Sequence, residues 1–187
     1  MSKTALLVMD VQKGIVDGLG DQRTNYLEHV KQAVNFAHQA EIPVMFVVVR
    51  FRKGYPELNP NNKMFASILE RGDNFSMEET SPLTNPLIEP SGSDLVISKK
   101  RVSAFAGSDL EMLLNARGIF ELVLCGVSTS GVVLSTLRYA ADKDYRLKVL
   151  SDCCADLDDE VHKILLEKVF PRQAEVMSST DWAKTLK

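Results

Sequence analysis

The chain has 187 residues, of which 45% are hydrophobic and 25% charged, and its formal net charge is −3. This composition excludes a disordered, collagen-like or coiled-coil chain. The length predicts one domain over residues 1–187, and the small negative charge gives no indication of binding to nucleic acid or to a membrane surface.

Short apolar runs alternate with longer amphipathic stretches along the chain. The apolar runs predict strands at residues 4–10, 44–49, 95–98, 120–127, 146–150 and 174–177. Helical spacing and capping residues predict helices at 25–41, 63–71, 108–117, 130–143, 158–170 and 180–187. Because right-handed crossovers join strands that alternate with helices, the predicted fold is a three-layer α/β/α, Rossmann-like domain with a six-stranded, mostly parallel sheet and helices on both faces.

A long excursion, residues 51–93, interrupts the alternation after the second predicted strand. It holds most of the prolines and one short predicted helix. An excursion of this length inside a compact domain is usually functional, and we interpret it so.

The cellular location is predicted from what the sequence lacks. The N-terminal apolar run is too short for a signal peptide, and no apolar run approaches the length of a membrane span. Three cysteines, Cys125, Cys153 and Cys154, are too few for a disulfide framework. These features predict a cytoplasmic protein with reduced cysteines.

Polar residues follow the predicted strands at their carboxyl ends, where open parallel sheets bind ligands. In strand order these are Asp10 and Gln12, Arg50, Lys99 and Lys100, residues 126–131 (GVSTSG), and Asp152 with Cys153 and Cys154. We therefore expect an acid, one or two lysines and a loop of hydroxyl residues to meet at one edge of the sheet.

Asp10 has two interpretations from its position. It either bonds to amides of its own loop, or it pairs with a lysine from the third strand and accepts a proton during the reaction. The lysine would then orient Asp10 or stabilise developing negative charge. Lys99 and Lys100 point to opposite faces, so at most one of them faces the site, and either is otherwise a solvated lysine.

The loop at 126–131 and Arg50 suggest anion binding. Backbone N–H groups at the start of a helix suit an oxyanion or a carboxylate, and the alternative is an ordinary turn capped by Ser130. Arg50 either clamps a substrate carboxylate or forms a structural salt bridge with the acidic excursion.

Other catalytic classes find little support. A serine triad of Ser128, Asp152 and His162 would require the GxSxG motif, but Gly131 falls one residue late and His162 lies in a predicted helix. All three histidines lie in predicted helices, and no metal-ligand spacing, GxGxxG or P-loop motif occurs. The sequence therefore predicts no resident metal and no cofactor.

Three segments resemble the isochorismatase-like hydrolase superfamily, which includes nicotinamidases, N-carbamoylsarcosine amidases and isochorismatases. They are LLVMDVQKG at 6–14, KKRVSAFAGSDLEMLL at 99–114 and LCGVSTSGVVLSTLRYAADKDY at 124–145. The resemblance covers nearly the whole chain. It implies that Asp10 is the catalytic acid, and it assigns the lysine role to Lys99, six residues before Phe105.

The third segment departs from most of the family at Val132. The GVxTxxC pattern of the family places a nucleophilic cysteine there, and valine cannot form a thioester. Isochorismatases also lack this cysteine and are thought to hydrolyse a vinyl ether with the aspartate as acid and base. The resemblance thus implies hydrolysis by water, for which Asp10 must be neutral although Lys99 beside it favours the anion.

The resemblance carries three further implications. Residues 51–93 contain no counterpart of the Asp-x-His metal pattern of nicotinamidases, which disfavours nicotinamide as the substrate. Family members often have a cis peptide bond at the position before Ser128. They usually form dimers or tetramers, so a homo-oligomer is expected.

These observations predict a hydrolase that acts on a small, anionic organic molecule. Its catalytic positions are Asp10, Lys99 and Val132. The residues predicted to bind substrate are Gln12, Arg50, Phe51, Phe105, Ser128, Thr129 and Gly131. Two alternatives stay open: a catalytically degenerate protein that only binds a small molecule or acts as a scaffold, and a Cys-dependent amide hydrolase that uses Cys153 or Cys154.

Overall fold

The computed structural model describes residues 3–70 and 84–186. Its strands are β1 (Thr4–Met9), β2 (Val44–Val49), β3 (Leu95–Lys99), β4 (Glu121–Val127), β5 (Arg146–Ala155) and β6 (Glu175–Met177). Its α-helices are α1 (Lys13–Val16), α2 (Arg23–Gln39), α3 (Lys63–Glu70), α4 (Leu110–Ala116), α5 (Leu134–Ala141), α6 (Asp159–Ile164) and α7 (Ser179–Lys184). Of these helices, none has the length and apolar character that crossing a membrane requires.

The strands form one sheet in the order β3-β2-β1-β4-β5-β6, and every neighbouring pair is parallel. This confirms the predicted α/β architecture. The chain moves outward from β1 to β3 and then returns to place β4 on the other side of β1. The strand order therefore reverses between β1 and β4, and the carboxyl ends of these central strands are where such sheets open a crevice.

Both faces of the sheet are buried, as the apolar runs without alternation predict. Leu7 and Met9 of β1 face a core that includes Leu114 of α4 and Leu137 of α5. Leu6 and Val8 face the opposite core, which includes Val30 of α2 and Trp182 of α7. The central strand is thus covered on both sides, and its carboxyl end is the first place where it can carry a polar side chain.

β5 is longer than predicted, and this changes where its polar residues lie. A register shift between Leu124 and Gly126 of β4 lets β5 continue pairing to Ala155 rather than end at Leu150. Cys153 and Cys154 therefore lie within the strand and are buried. Asp152 accepts hydrogen bonds from the backbone N–H (2.8 Å) and hydroxyl (2.7 Å) of Ser179 at the start of α7. The expectation that β5 delivers these residues to the site was wrong.

Helical boundaries also differ from the prediction. Residues 11–23, which lie between the first predicted strand and the first predicted helix, contain α1 and a 3₁₀ turn at Asp17–Gln22. The helix predicted from residue 130 begins with a wider, π-helical turn at Thr129–Val133. Within the predicted excursion, residues 71–83 lie outside the described part of the chain. The described part carries α3, which packs Phe65 and Ile68 against Phe51 and Tyr55.

Gly126 is required where β4 passes β1. Its φ is +154°, and a β-carbon there would lie 2.3 Å from the carbonyl oxygen of Met9. We predict that Gly126→Ala lowers the free energy of unfolding by about 1–3 kcal/mol, the usual cost of forcing atoms into a packed core. Chemical denaturation measures this change.

The matched control is Gly14→Ala, since a β-carbon at this exposed helical glycine meets no atom within 4 Å. The control should leave stability unchanged or raise it by up to about 1 kcal/mol through helix propensity. Equal stability changes in both variants would contradict the steric argument.

Candidate active site

A cavity of about 370 Å³ opens where the strand order reverses. It lies at the carboxyl ends of β1 to β4, since Asp10, Val49, Lys99 and Val127 all line it. Its apolar wall is formed mainly by Ile15, Val49, Phe65, Ile68, Val102 and Val132. The carboxyl edge of the sheet thus carries a partly open cavity whose volume suits a small organic molecule.

Asp10 follows the last residue of β1 and is buried. Its backbone N–H donates to the carbonyl of Val47 (2.8 Å), so the residue is still held to β2. Its φ of +57° lies in the left-handed region, which aspartate tolerates better than most residues. The chain therefore turns at Asp10, which lines the cavity.

Lys99 ends β3 and reaches Asp10 across the end of β2. Two strand spacings separate β3 from β1, a distance of about 10 Å, which a lysine side chain can bridge. Its Nζ lies 2.9 Å from Oδ2 of Asp10. The same Nζ donates to the carbonyls of Arg101 (3.0 Å) and Val102 (3.1 Å). An ammonium has three protons, so these acceptors use the whole donor capacity of Lys99.

The pKa of Asp10 is raised by burial, and the charge and hydrogen bond of Lys99 oppose that shift without cancelling it. Only one carboxyl oxygen contacts Lys99. The other, Oδ1, is buried and accepts no hydrogen bond from any residue that the structure describes. Burial thus favours the neutral acid in spite of the neighbouring ammonium. This is the direction that hydrolysis by water requires, since that reaction begins with a neutral Asp10.

Gln12 connects the loop after β1 to β2. Its Oε1 accepts from the backbone N–H of Val49 (2.8 Å), and its Nε2 donates to the carbonyl of the same residue (3.2 Å). The side chain imitates a strand partner for the last residue of β2. Because both polar ends are used in this way, Gln12 supports the cavity instead of lining it.

The loop after β4 contributes Ser128, Gly131 and Val132 to the cavity, and the peptide bond between Val127 and Ser128 is cis. The backbone N–H of Ser130 donates to the carboxylate of Asp156 (2.6 Å). The N–H of Gly131 donates to the carbonyl of Ser128 (3.2 Å). Two of the amides predicted to bind an anion are therefore already hydrogen-bonded within the protein.

Other predicted binding residues lie away from the cavity lining. Phe51 is fully buried behind Phe65, with ring centroids 5.9 Å apart, and so supports the wall from behind. Phe105 stacks on Tyr139 at 4.8 Å. Arg50 is half-buried, and its backbone N–H donates to the carbonyl of Lys99 (3.2 Å).

Thr129 and His162 form a hydrogen bond of 2.8 Å between Oγ1 and Nδ1. Thr129 is fully buried and does not line the cavity. Because His162 contacts Thr129 and Asp152 contacts Ser179, the serine triad considered from the sequence is not assembled.

The described residues provide neither a thiolate nor a metal centre. Cys153 and Cys154 are buried outside the cavity lining. Burial raises the pKa of both thiols, that of Cys154 to about 12. Within residues 3–70 and 84–186, no group of three His, Cys, Asp or Glu side chains could hold a metal ion.

Sequence reasoning missed the residues that form most of the wall. Met64, Phe65 and Ile68 come from α3, and Leu157 from the loop after β5. The amphipathic pattern of 63–71 indicated a helix. Nothing in that pattern showed that the helix lies against the carboxyl ends of the strands.

Comparisons with known proteins agree with this architecture. Residues 4–181 match the family model of the isochorismatase domain. YwoC, an uncharacterised isochorismatase family protein of Bacillus subtilis, is 31% identical over 185 residues, covering 99% of this chain and 95% of that protein. The ureidoacrylate amidohydrolase RutB of Acinetobacter baylyi is 29% identical, covering 81% of this chain and 70% of that protein. The structure of a cysteine hydrolase from Pseudomonas syringae pv. phaseolicola shares the fold, with a TM-score of 0.89 at 18% identity, covering 98% of this chain and 92% of that one.

The raised pKa of Asp10 predicts a specific dependence of stability on pH. Between the unfolded and the folded pKa, the folded protein keeps a proton that the unfolded chain has lost. Stability therefore falls as pH rises through this interval, by at most about 1.4 kcal/mol per pH unit for one proton. Asp10→Asn should remove this decline.

Urea denaturation of the wild type and the variant, from about pH 4 upwards, measures the effect, since unfolded aspartate has a pKa of about 3.9. Asparagine also changes the absolute stability, because its amide nitrogen is a donor where a carboxyl oxygen can accept from Lys99. The slope, and not the absolute stability, is therefore the readout. Parallel curves for the two proteins would show that Asp10 has an ordinary pKa in the folded state.

Proposed function

The chain belongs to the isochorismatase family and is a hydrolase, and from that premise we propose that it hydrolyses a small organic molecule by acid catalysis, without a covalent intermediate. The observation that carries this proposal is the buried Asp10–Lys99 pair in a cavity whose wall presents Val132 instead of a thiol. Among residues 3–70 and 84–186, an acid and a cavity occur together, and the described cysteines are all buried.

The proposed reaction is the addition of water to an acid-activated double bond such as that of a vinyl ether. Neutral Asp10 donates its proton to the terminal carbon of the double bond, and an oxocarbenium ion forms. Water adds to the cationic carbon and loses a proton to the Asp10 carboxylate. The resulting hemiketal separates into a carbonyl compound and an alcohol, and Asp10 is again neutral.

Lys99 has a positioning role in this reaction. Its three protons are held by Asp10 and two backbone carbonyls, so it fixes the carboxyl group and stabilises the anion that exists between the two proton transfers. Burial stabilises the neutral form that begins the reaction. The pair therefore supports both protonation states that the cycle requires.

Amide hydrolysis has less support. The relative named ureidoacrylate amidohydrolase raises this alternative for the present chain. However, Val132 offers no nucleophile, and Cys153 and Cys154 are buried thiols with raised pKa values. A Cys-dependent reaction would require one of them to enter the cavity, which β5 pairing opposes.

The second candidate function is binding without catalysis. The observation in its favour is Val132 itself, since the cavity persists while the position of the family's nucleophile is apolar. Catalysis and binding differ in one measurable respect: a bound ligand is recovered unchanged from a binding protein.

Asp10→Asn should lower turnover at least about 100-fold, because asparagine cannot deliver a proton. Purified protein would be assayed against isochorismate, small vinyl ethers, amides, carbamoyl compounds and imides. Asp142→Asn is the matched control, since Asp142 is an exposed aspartate just after α5 and outside the cavity lining. Full activity in the Asp10 variant would refute the assignment. Recovery of every compound unchanged from the wild type would favour the binding function.

Val132→Cys should add hydrolysis of small amides, which iodoacetamide then abolishes, while the wild type is insensitive to iodoacetamide. The exchange is close in volume and is expected to preserve packing. Val133→Cys is the control, because Val133 is equally buried but does not line the cavity. Amide hydrolysis that is equal in both variants, or inhibition of the wild type by iodoacetamide, would contradict the proposed geometry.

A further inference from the structure

We infer that the substrate of this cavity is an uncharged molecule with an apolar body, an inference that rests on the proposed function and narrows it. Apolar side chains from α1, β2, α3 and the loops after β3, β4 and β5 form most of the wall. Among the described lining residues, only Asp10, Lys99, Ser67 and Ser128 have polar side chains. A ligand enclosed by this lining exchanges water mainly for hydrocarbon.

The cation in the described lining has no proton to offer a ligand. Lys99 donates to Asp10 at 2.9 Å and to the carbonyls of Arg101 and Val102 at 3.0 and 3.1 Å. A substrate carboxylate would have to displace one of these acceptors. Displacing Asp10 would leave its buried carboxyl group without the Lys99 donor, and displacing a carbonyl would leave that carbonyl buried without a donor.

The partial positive charge at the start of the helix that follows β4 already has an anionic partner within the protein. The N-terminal turn of this helix would be the natural position for an anion, but the carboxylate of Asp156 accepts the N–H of Ser130 at 2.6 Å. The protein thus supplies an anion of its own to this helix start. A second anion in the cavity would be repelled by Asp156 and, whenever it is ionised, by Asp10.

The sequence suggested an anionic substrate because Arg50 and the amides at 126–131 looked suited to a carboxylate. Arg50 does not line the described cavity, and the amides of Ser130 and Gly131 have internal partners. Asp10 and the hydroxyls of Ser67 and Ser128 are the polar side chains of the described lining that can hydrogen-bond to an uncharged ligand. A neutral, apolar ligand in the cavity would displace water from around Asp10, and this desolvation would raise the pKa of its carboxyl group further.

Matched pairs of neutral and anionic probes test the inference. Isothermal titration calorimetry on the full chain would compare benzamide with benzoate, and cyclohexanecarboxamide with cyclohexanecarboxylate. Each amide should bind at least about tenfold more tightly than its acid, because the carboxylate loses water and the cation of the described lining, Lys99, already donates to three acceptors. Equal or tighter binding of the carboxylates would overturn the inference, and so would a failure of both amides to bind.

A positive charge added at the mouth of the cavity should weaken the preference for neutral over anionic probes. Met64 lines the cavity and is 61% exposed, so Met64→Arg adds a cation without burying it. This variant should bind benzoate at least about tenfold more tightly than the wild type does, because the new arginine can form a charge-assisted hydrogen bond with the carboxylate. Met112→Arg is the control, since Met112 is 65% exposed on α4 and outside the cavity lining. An unchanged benzoate affinity in Met64→Arg, or an equal gain in Met112→Arg, would overturn the inference.

This experiment separates the inference from the proposed function. Calorimetry measures binding and not turnover, so a reversed charge preference would leave acid catalysis by Asp10 standing. Conversely, full turnover by Asp10→Asn would refute acid catalysis without altering which probe binds.

Discussion

The ion pair between Asp10 and Lys99 joins two strands that no backbone hydrogen bond connects. β2 lies between β1 and β3, so the contact depends on a lysine that crosses the end of β2. The other two protons of Lys99 fix the turn after β3, while Gln12 fixes the last residue of β2. Side-chain hydrogen bonds thus hold the carboxyl ends of these strands together where backbone pairing has ended. This network supports the end of the cavity that Asp10 and Lys99 line, and the burial of Asp10 raises the pKa of its carboxyl group.

The sequence predicted the sheet well because the signals for it are local. Apolar runs without alternation mark strands that are covered on both faces, and β2 spans Val44–Val49, as predicted. Asp10 stood out for the same reason, as an acid directly after such a run. β5 was predicted five residues too short because its extension depends on a register shift in β4. That shift is a property of strand pairing, and the sequence of β5 alone does not contain it.

The lining of the cavity was harder to predict than its position. Phe105 and Thr129 are close in sequence to residues of the cavity, but their side chains turn to Tyr139 and His162. Side-chain direction after a strand depends on loop torsions and on partners that are distant in sequence. The wall residues Phe65 and Ile68 come from α3, and the position of α3 depends on tertiary packing against Phe51 and Tyr55. Sequence reasoning therefore found the edge of the sheet and the acid, and not the surface that encloses a ligand.

In the proposed mechanism, the presence of Val132 in place of a thiol and the protonation of Asp10 are physically linked. In a thiol mechanism the aspartate must be ionised to accept the thiol proton, and a polar surrounding favours that state. Val132 is nearly fully buried and presents hydrocarbon to the cavity. Replacing sulfur by hydrocarbon increases the desolvation of the carboxyl group, which favours its neutral form. In the proposed mechanism, the substitution that removes the nucleophile thus also favours Asp10 as an acid over Asp10 as a base. Lys99 stabilises the Asp10 carboxylate that exists after the first proton transfer, so this intermediate state stays accessible.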